Sequence, residues 1–227
     1  MAGRWSEKKD VAQISCFFSS KAEVTEDTIQ SFEYSLKNVL QEASITETSE
    51  NPGARLWVDA YSADGKITLV NGRNTLDANA IGIGGDFFLF HPLKLITGSY
   101  FSGNDLMQDY CIIDQDAAWQ LFGSNDVVGM TVYIGNVPHI VTGVVRRPQG
   151  RMEKAAGLTS TVVYVSYETL EAYGTNNGIN HYEIVMPNPV DEFAYGKVKE
   201  GIGIDEKNVE IVENSRRYSL PNRIKTI

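Results

Sequence analysis

The sequence predicts an α+β fold in which a split ferredoxin-like subdomain carries an inserted subdomain that is itself mixed α+β. Two observations lead to this prediction. A strand–helix–strand pattern occupies residues 11–61, and a second pattern of the same kind occupies residues 181–212. Two βαβ halves that bracket a middle segment are typical of an interrupted ferredoxin-like unit. We therefore assign residues 1–61 and 178–227 to the first subdomain and residues 62–177 to the inserted one.

The opening half begins with a strand at residues 11–18 and continues into the longest predicted helix, residues 26–43. Thr25 is a suitable N-cap for this helix. Glu33 and Lys37 stand four residues apart in the favourable order, so we expect them to pair on its surface. The helix carries one apolar stripe with a 3.6-residue period, formed by Ile29, Phe32, Leu36, Val39 and Leu40.

A hairpin is predicted to end this half. Residues 55–61 and 66–71 alternate between polar and apolar side chains on either side of Ala63-Asp64-Gly65. Short alternating runs that flank an Asp-Gly step are a strong hairpin signal.

The closing half repeats the order strand, helix, strand. Residues 181–186 form the first strand and residues 208–212 the second. Between them, Asn188 is a predicted N-cap and Pro189 the first helical residue, where proline loses no hydrogen bond. Since the first and last strands belong to one subdomain, we expect both chain ends to leave from the same end of the molecule.

The inserted subdomain shows well-marked element ends. Asp114 and Gly123 are predicted to begin and end a helix over residues 117–122. Gly135-Asn136 is predicted to join two strands. The other predicted elements are strands at 80–83, 111–113 and 161–165, a turn-rich piece at 84–93, the strand pair 129–135 and 137–145, a basic loop at 146–154 and a helix at 167–173.

Composition excludes several classes of protein. The chain has 227 residues, with 29 acidic against 20 basic side chains and a formal net charge of -9, which argues against a nucleic-acid binder. Residues 1–10 lack the apolar core of a secretory signal peptide. The uncharged stretch 127–145 is interrupted by glycine and proline and alternates as strands do, so we do not expect it to span a membrane. The polypeptide as given is expected to be soluble.

No pattern of catalytic or ligand-binding residues is apparent. Gly82-Ile83-Gly84-Gly85 lacks the lysine of a phosphate-binding loop, so we interpret it as a turn or bulge. The histidines His91, His139 and His181 lack metal-ligand spacing, and we expect His139 at a surface or half-buried position. Capping and solvated turns explain the carboxylates Asp105, Asp109, Asp114 and Asp116. We expect no catalytic residue, no metal and no cofactor.

Three further features leave alternatives open. Cys16 and Cys111 could form one disulfide, although two buried free thiols are the favoured interpretation. A group of aromatic side chains would serve either as core or, where exposed, as a docking surface; it comprises Phe87, Phe88, Phe90, Tyr100 and Phe101. A basic group around Pro148-Gln149-Gly150 would contact a partner or only solvent; it comprises Arg146, Arg147, Arg151 and Lys154.

The ordered motifs of residues 98–147 resemble the periplasmic core domain of MacB-type ABC transporter permeases, in the FtsX-like permease group. The resemblance rests on Gly98-Ser-Tyr-Phe101, on the run from Ile112 to Gly123 that ends in Leu-Phe-Gly, and on the Val128-Gly129 step. The strand pair ending Val-Thr-Gly-Val-Val145 completes the set. Ser99-Tyr100 stands where an arginine is commoner in the family.

The resemblance implies an extracytoplasmic domain of a bacterial membrane protein, on the cell surface or in the periplasm, between the first and second of four transmembrane helices. It implies a porter-like subdomain with an insertion, a permease dimer and a cytoplasmic ABC ATPase subunit or domain as partner. A peptide or an adaptor protein is a further possible partner. The implied role is non-catalytic: ATP hydrolysis elsewhere would be coupled to export, efflux or mechanical transmission. The alternative hypothesis is a secreted or surface module that binds a protein or peptide through the Phe87 region, without a transport role.

Overall fold

The computed structural model describes residues 10–46, 55–146 and 161–216. The chain divides into two compact units, one formed by Met1–Tyr61 and Gly178–Ile227 and the other by Ser62–Asn177. The described helices and strands are, in chain order, β1 (Val11–Phe18), α1 (Glu26–Glu42), β2 (Val58–Asn71), β3 (Asn74–Gly85), α2 (Phe87–Phe90), β4 (Leu95–Gly98), β5 (Tyr110–Asp114), α3 (Gln115–Phe122), β6 (Thr131–Ile134), β7 (Val137–Val145), β8 (Val162–Ser166), α4 (Tyr167–Tyr173), β9 (Thr175–Asn176), β10 (His181–Pro187), α5 (Phe193–Gly201) and β11 (Val209–Glu213). The fold is therefore mixed α+β, as predicted.

In the first unit the strand order is β11-β1-β10 followed by the first residues of β2. Strand β1 runs antiparallel to both of its neighbours, so that Cys16 lies between Tyr182 and Ile211. Helix α1 buries the predicted stripe through Ile29, Phe32, Leu36 and Leu40. The Phe32 ring meets Tyr182 edge-on at 5.7 Å between ring centroids, which places α1 on the face of the sheet that carries Cys16 and Tyr182.

In the second unit the order is β2-β3-β8-β5-β7-β4, while β6 pairs with both β2 and β7. The sheet is mixed, since β3–β8 and β5–β7 are parallel and β5–β8 is antiparallel. Helix α4 packs on β3 and β8, and α3 packs on β3, β5 and β7. The fully buried side chains of this unit include Ile112, Ile113, Leu121, Val163, Val165 and Leu170.

Two predicted element boundaries are wrong. The hairpin expected at Ala63-Asp64-Gly65 is one uninterrupted strand, because burial continues through Ala63 and Ile67 and strand β9 pairs with Gly65. The turn lies further on, at Gly72-Arg73 between β2 and β3.

The helix expected from Pro189 begins four residues later, at Phe193. Glu192 has a φ of 66°, a left-handed conformation that interrupts a right-handed helix. Asn188 still caps the helix from outside, because its side chain accepts a hydrogen bond from the Ala194 amide at 3.0 Å.

Most of the predicted basic loop, from Arg147 through Arg151 to Lys154, lies outside the described residues. Among the described helices, none has the length and apolar character needed to cross a membrane.

Candidate functional site

Two of the predicted carboxylates of the second unit, Asp114 and Asp105, accept hydrogen bonds from backbone amides. Asp114 is buried and divides its two oxygens between the amide of Ala117, at 2.8 Å, and the amide of Val162, at 3.0 Å. The first bond caps helix α3 and the second ties strand β5 to the start of β8. Asp105 accepts a hydrogen bond from the Ser102 amide at 2.9 Å. The predicted capping role of Asp114 is confirmed.

His139 is fully buried, so the expected surface or half-buried position is wrong. The reason lies in β7, where residues 139, 141 and 143 share one face of the strand and all three are buried. Its Nδ1 lies 3.0 Å from the Val137 carbonyl oxygen, and its Nε2 lies 3.1 Å from Thr169 Oγ1. Because a carbonyl oxygen only accepts, Nδ1 is the donor toward Val137, whereas the Thr169 hydroxyl can act as donor or acceptor toward Nε2.

The hydroxyl groups beside His139 have structural partners. Ser166 Oγ lies 2.9 Å from Thr169 Oγ1 and also accepts the Thr169 amide at 3.1 Å, which caps helix α4. Asp109 approaches His139 Nε2 to 3.9 Å from a half-exposed position. Ser166, Thr169 and His139 are all buried, so this group lacks the open face that a nucleophile and its substrate need. We interpret it as a buried polar network that fixes α4 to β7.

The predicted aromatic group is mostly core. Phe87, Phe88 and Phe101 are buried, and Phe88 stacks on Tyr100 with 4.5 Å between ring centroids. Tyr164 also contacts both Phe87 and Phe88. Tyr100 and the neighbouring Leu89 remain partly exposed. The glycine run 82–85, interpreted from the sequence as a turn or bulge, is the end of β3, in which Gly82 and Ile83 pair with β8.

A different set of apolar side chains is exposed in the second unit. Leu106 is 103% exposed, Met107 52% and Met130 46%. The strand pair β6–β7 adds Ile140, opposite Thr131, and the preceding turn adds Val128. We call this set of five residues (Leu106, Met107, Val128, Met130 and Ile140) the apolar surface. The sequence only weakly indicates this apolar surface, through apolar residues that lie in loops or at the outward positions of alternating strands.

A group of acidic and phenolic side chains lies between α1 and the sheet in the first unit. Tyr182 donates a hydrogen bond to Asp59 Oδ2 at 2.9 Å, and Tyr61 donates one to Glu26 Oε1 at 2.8 Å. Burial, followed by the charge of Asp59 and a hydrogen bond to it, raises the pKa of Glu33 to about 8. The ion pairs recorded among the described residues do not include the expected Glu33–Lys37 pair, and the charge that acts most on Glu33 is that of Asp59. The sequence could have indicated this position of Glu33, because it stands four residues after Ile29 and three before Leu36, on the face of α1 that carries the apolar stripe.

Both cysteines are free and buried, in agreement with the favoured prediction. Burial raises the pKa of each thiol to about 12. Neither has the exposed, electropositive environment of a reactive cysteine.

The family described as MacB-like periplasmic core domain matches residues 11–211. The chain belongs to this family. Among curated relatives, the macrolide export ATP-binding/permease protein MacB of Pasteurella multocida is 31% identical over 133 residues, which are 58% of this chain. The protein of the same name from Neisseria gonorrhoeae is 35% identical over 91 residues, or 39% of this chain. The matched regions are 20% and 14% of those two proteins, so this MacB-like domain corresponds to a small part of each.

Solved structures agree on the fold of this MacB-like domain. The periplasmic region of MacB from Actinobacillus actinomycetemcomitans gives a TM-score of 0.57 at 17% identity, covering 95% of this chain and 93% of that one. The extracellular domain of the noncanonic ABC-type transporter YknZ from Gram-positive bacteria gives 0.52 at 21% identity, covering 88% and 99%. At these identities the likeness supports the mixed α+β fold alone.

Proposed function

We propose that this MacB-like domain is the extracytoplasmic part of an ABC transporter permease, where it couples ATP hydrolysis on a partner ATPase to export or mechanical transmission. The observation that carries the proposal is the family match, which spans nearly the whole described chain. The domain itself would be non-catalytic and would need no cofactor. In keeping with this role, its buried histidine and carboxylates serve as caps and packing groups.

The first unit supports attachment to a membrane at one end. Its strand order, β11-β1-β10-β2 with one helix in each half, supports our proposal that it is a split ferredoxin-like, porter-like subdomain. In our proposal, residues 1–61 and 178–227 form this subdomain and residues 62–177 its insertion. Strands β1 and β11 are antiparallel with Ile14 opposite Glu213, so the start of one lies beside the end of the other. Flanking chain on both sides would thus leave side by side, as two neighbouring membrane anchors require.

The proposed partners are a second permease subunit and a cytoplasmic ABC ATPase, with a peptide or adaptor protein as a further candidate. The alternative, a secreted peptide-binding module that uses the Phe87 region, has less support. Phe87 and Phe88 are buried, so they offer little area to a ligand.

The simplest test is the complete reading frame. It should encode an apolar span of about 20 residues before Trp5 and three more after Ile227. A secreted module predicts a cleavable leader and no spans.

The functional test uses the full-length permease with its ATPase in nanodiscs. Hydrogen exchange of the extracytoplasmic domain should differ between the nucleotide-free state and the state trapped with ATP and vanadate. An ATPase variant that lacks the phosphate-binding lysine is the control and should abolish the difference. Identical exchange in all three samples would exclude coupling between the domain and ATP hydrolysis.

A further inference from the structure

The strongest unassigned feature is the apolar surface of the second unit, whose parts meet at the middle of strand β7. The Ile140 amide donates a hydrogen bond to the Asp109 carbonyl oxygen at 2.8 Å, and the next amide, that of Val141, donates one to the Met130 carbonyl oxygen at 2.9 Å. Consecutive amides of a strand point to opposite sides, and neighbouring segments lie about 5 Å from it. The loop 105–109 and the turn 127–130 therefore stand about 10 Å apart, one on each side of β7.

Tyr110 connects the loop to the face of the strands. Its hydroxyl lies 3.7 Å from Met107 Sδ, and its Cα pairs with that of Ile140 across β5 and β7. On the other side of β7, Thr131 stands opposite Ile140. Side chains of directly paired residues share one face of a sheet. Helix α4 contacts His139, which points to the opposite face, so the apolar surface lies on the face of β7 away from α4.

The loop that carries Leu106 is fixed in place, although Leu106 itself is 103% exposed. Asp105 Oδ2 accepts the Ser102 amide at 2.9 Å, and the Asp105 carbonyl oxygen accepts the side-chain amide of Gln108. The Gln108 carbonyl oxygen in turn accepts the buried Ser166 hydroxyl at 3.2 Å. An apolar side chain that stays in water adds nothing to folding. A partner that covers it gains from a loop that is already ordered.

Carboxylates border the apolar surface. Asp105 and Asp109 stand at the two ends of its loop, and Asp126 precedes its turn. We call these three residues the acidic rim. Asp126 is exposed and Asp109 is half-exposed. The ion pairs found among the described residues bring no lysine or arginine to the rim, and that of Asp109 is with His139 at 3.9 Å.

The charges decide between three candidate occupants. A second copy of the chain carries the same net charge of -9 and would be repelled. An anionic bilayer would be repelled for the same reason. A partner in which apolar side chains stand beside lysine or arginine gains from both features, because apolar contact supplies affinity and opposite charges at the rim favour association.

We propose that the apolar surface is a docking site for a cationic amphipathic peptide. The apolar side chains of the peptide cover Leu106, Met107 and Ile140, and its lysine or arginine side chains pair with the acidic rim. The inference rests on the proposed function for its biological role, since a peptide is one of the candidate partners of the transporter. Binding itself is a property of the 227-residue chain and is measured without transport.

The first test is an NMR titration of the isotope-labelled 227-residue chain with a short designed helical peptide that has leucine on one face and lysine on the other. We expect amide shifts in the loop 105–109, the turn 127–130 and residues 140–141, and a weaker affinity at about 0.5 M salt. Control peptides with glutamate in place of lysine, or serine in place of leucine, should not bind. Equal binding of the glutamate peptide, or shifts centred on another surface, would overturn the proposal.

The second test uses substitutions. Leu106→Ser should weaken binding about tenfold, because it removes the most exposed apolar side chain of the site. Asp109→Asn should weaken it about threefold at low salt and hardly at all at about 0.5 M salt. Matched controls are Trp119→Ser, at a side chain of α3 that is 58% exposed, and Glu168→Gln, at an exposed position of α4. Both controls should leave the affinity unchanged, and unchanged affinity in the two site variants would refute the proposal.

Two further measurements identify the other occupants. Shifts of the same amides when the chain is concentrated without peptide would identify a second copy, and broadening by phosphatidylglycerol vesicles in place of the peptide would identify a membrane. Either result would overturn the proposal. A domain that binds no peptide but whose hydrogen exchange responds to ATP in the full-length permease would leave the proposed function standing, so the two failures are distinguishable.

Discussion

Asp114 accepts a hydrogen bond from the backbone amide of Val162 at 3.0 Å, across 48 residues of sequence. The same carboxylate caps helix α3 through Ala117. One buried side chain thereby joins the end of β5, the start of α3 and the start of β8. The motif that resembles the family, an Asp before a helix that ends in Leu-Phe-Gly, is thus a tertiary junction as well as a cap.

Replacing Asp114 should therefore cost more than the loss of an ordinary cap. Asp114→Ala removes the cap, worth about 1 kcal/mol, and leaves a buried amide unsatisfied, at about 1–3 kcal/mol. We expect a total loss of about 2–4 kcal/mol in urea unfolding, and roughly half of that for Asp114→Asn, which keeps one acceptor oxygen. Asp126→Ala, at an exposed site nearby, is the control and should change stability little. A loss for Asp114→Ala no larger than the cap alone, about 1 kcal/mol, would show that the Val162 bond contributes nothing.

The turn at Gly135-Asn136 provides a second prediction. Gly135 has a φ of 57°, and a Cβ added there would lie 2.2 Å from the Tyr173 ring. Gly129 has a φ of 82° with open space around it. Gly129→Ala should cost about 1–2 kcal/mol from the left-handed backbone alone, whereas Gly135→Ala should cost about 1–3 kcal/mol more because Tyr173 must move. Urea midpoints of the two variants measure the difference, and a larger loss at Gly129 would contradict the steric account.

The sequence was sufficient where local chemistry decides the structure. The stripe of α1, its Thr25 cap and the helix Tyr167–Tyr173 were predicted because periodicity and capping residues act within a few positions. The hairpin turn predicted at Asp64-Gly65 was wrong, because a dipeptide that favours turns stays extended when the residues on both sides belong to a buried strand.

Contacts between residues that are distant in sequence could not be predicted from local sequence patterns. Lys37 stands at the i+4 position from Glu33, but the half-buried Glu33 has its pKa raised in part by Asp59, which the sequence places 26 residues away. His139 alternates as a surface residue would, and only the packing of α4 on the strands shows it to be buried. The family itself could be recognised because the order of weak motifs survives where single motifs are ambiguous.

Exposure of the apolar surface leads to a third prediction. Leu106→Ser should change the melting temperature hardly at all, within about 0.5 kcal/mol of stability, since the side chain is 103% exposed. Ile112→Ala, a few residues away in buried strand β5, should cost about 2–5 kcal/mol. Thermal unfolding of both variants gives the comparison. A marked loss for Leu106→Ser would mean that this side chain is covered in solution, for example by a second copy of the chain.

The two thiols allow a test of burial in both units at once. With burial raising the pKa of Cys16 and of Cys111 to about 12, only roughly one thiol in ten thousand is ionised at pH 8, and reagent access is blocked as well. The native protein should therefore show no reaction with a disulfide reagent over an hour, and two equivalents should react in guanidinium. Cys16→Ser should reduce the denatured count to one and serves as the calibration. Rapid reaction of one native thiol would show that its unit opens readily, and a denatured count of zero would reveal a disulfide in place of free thiols.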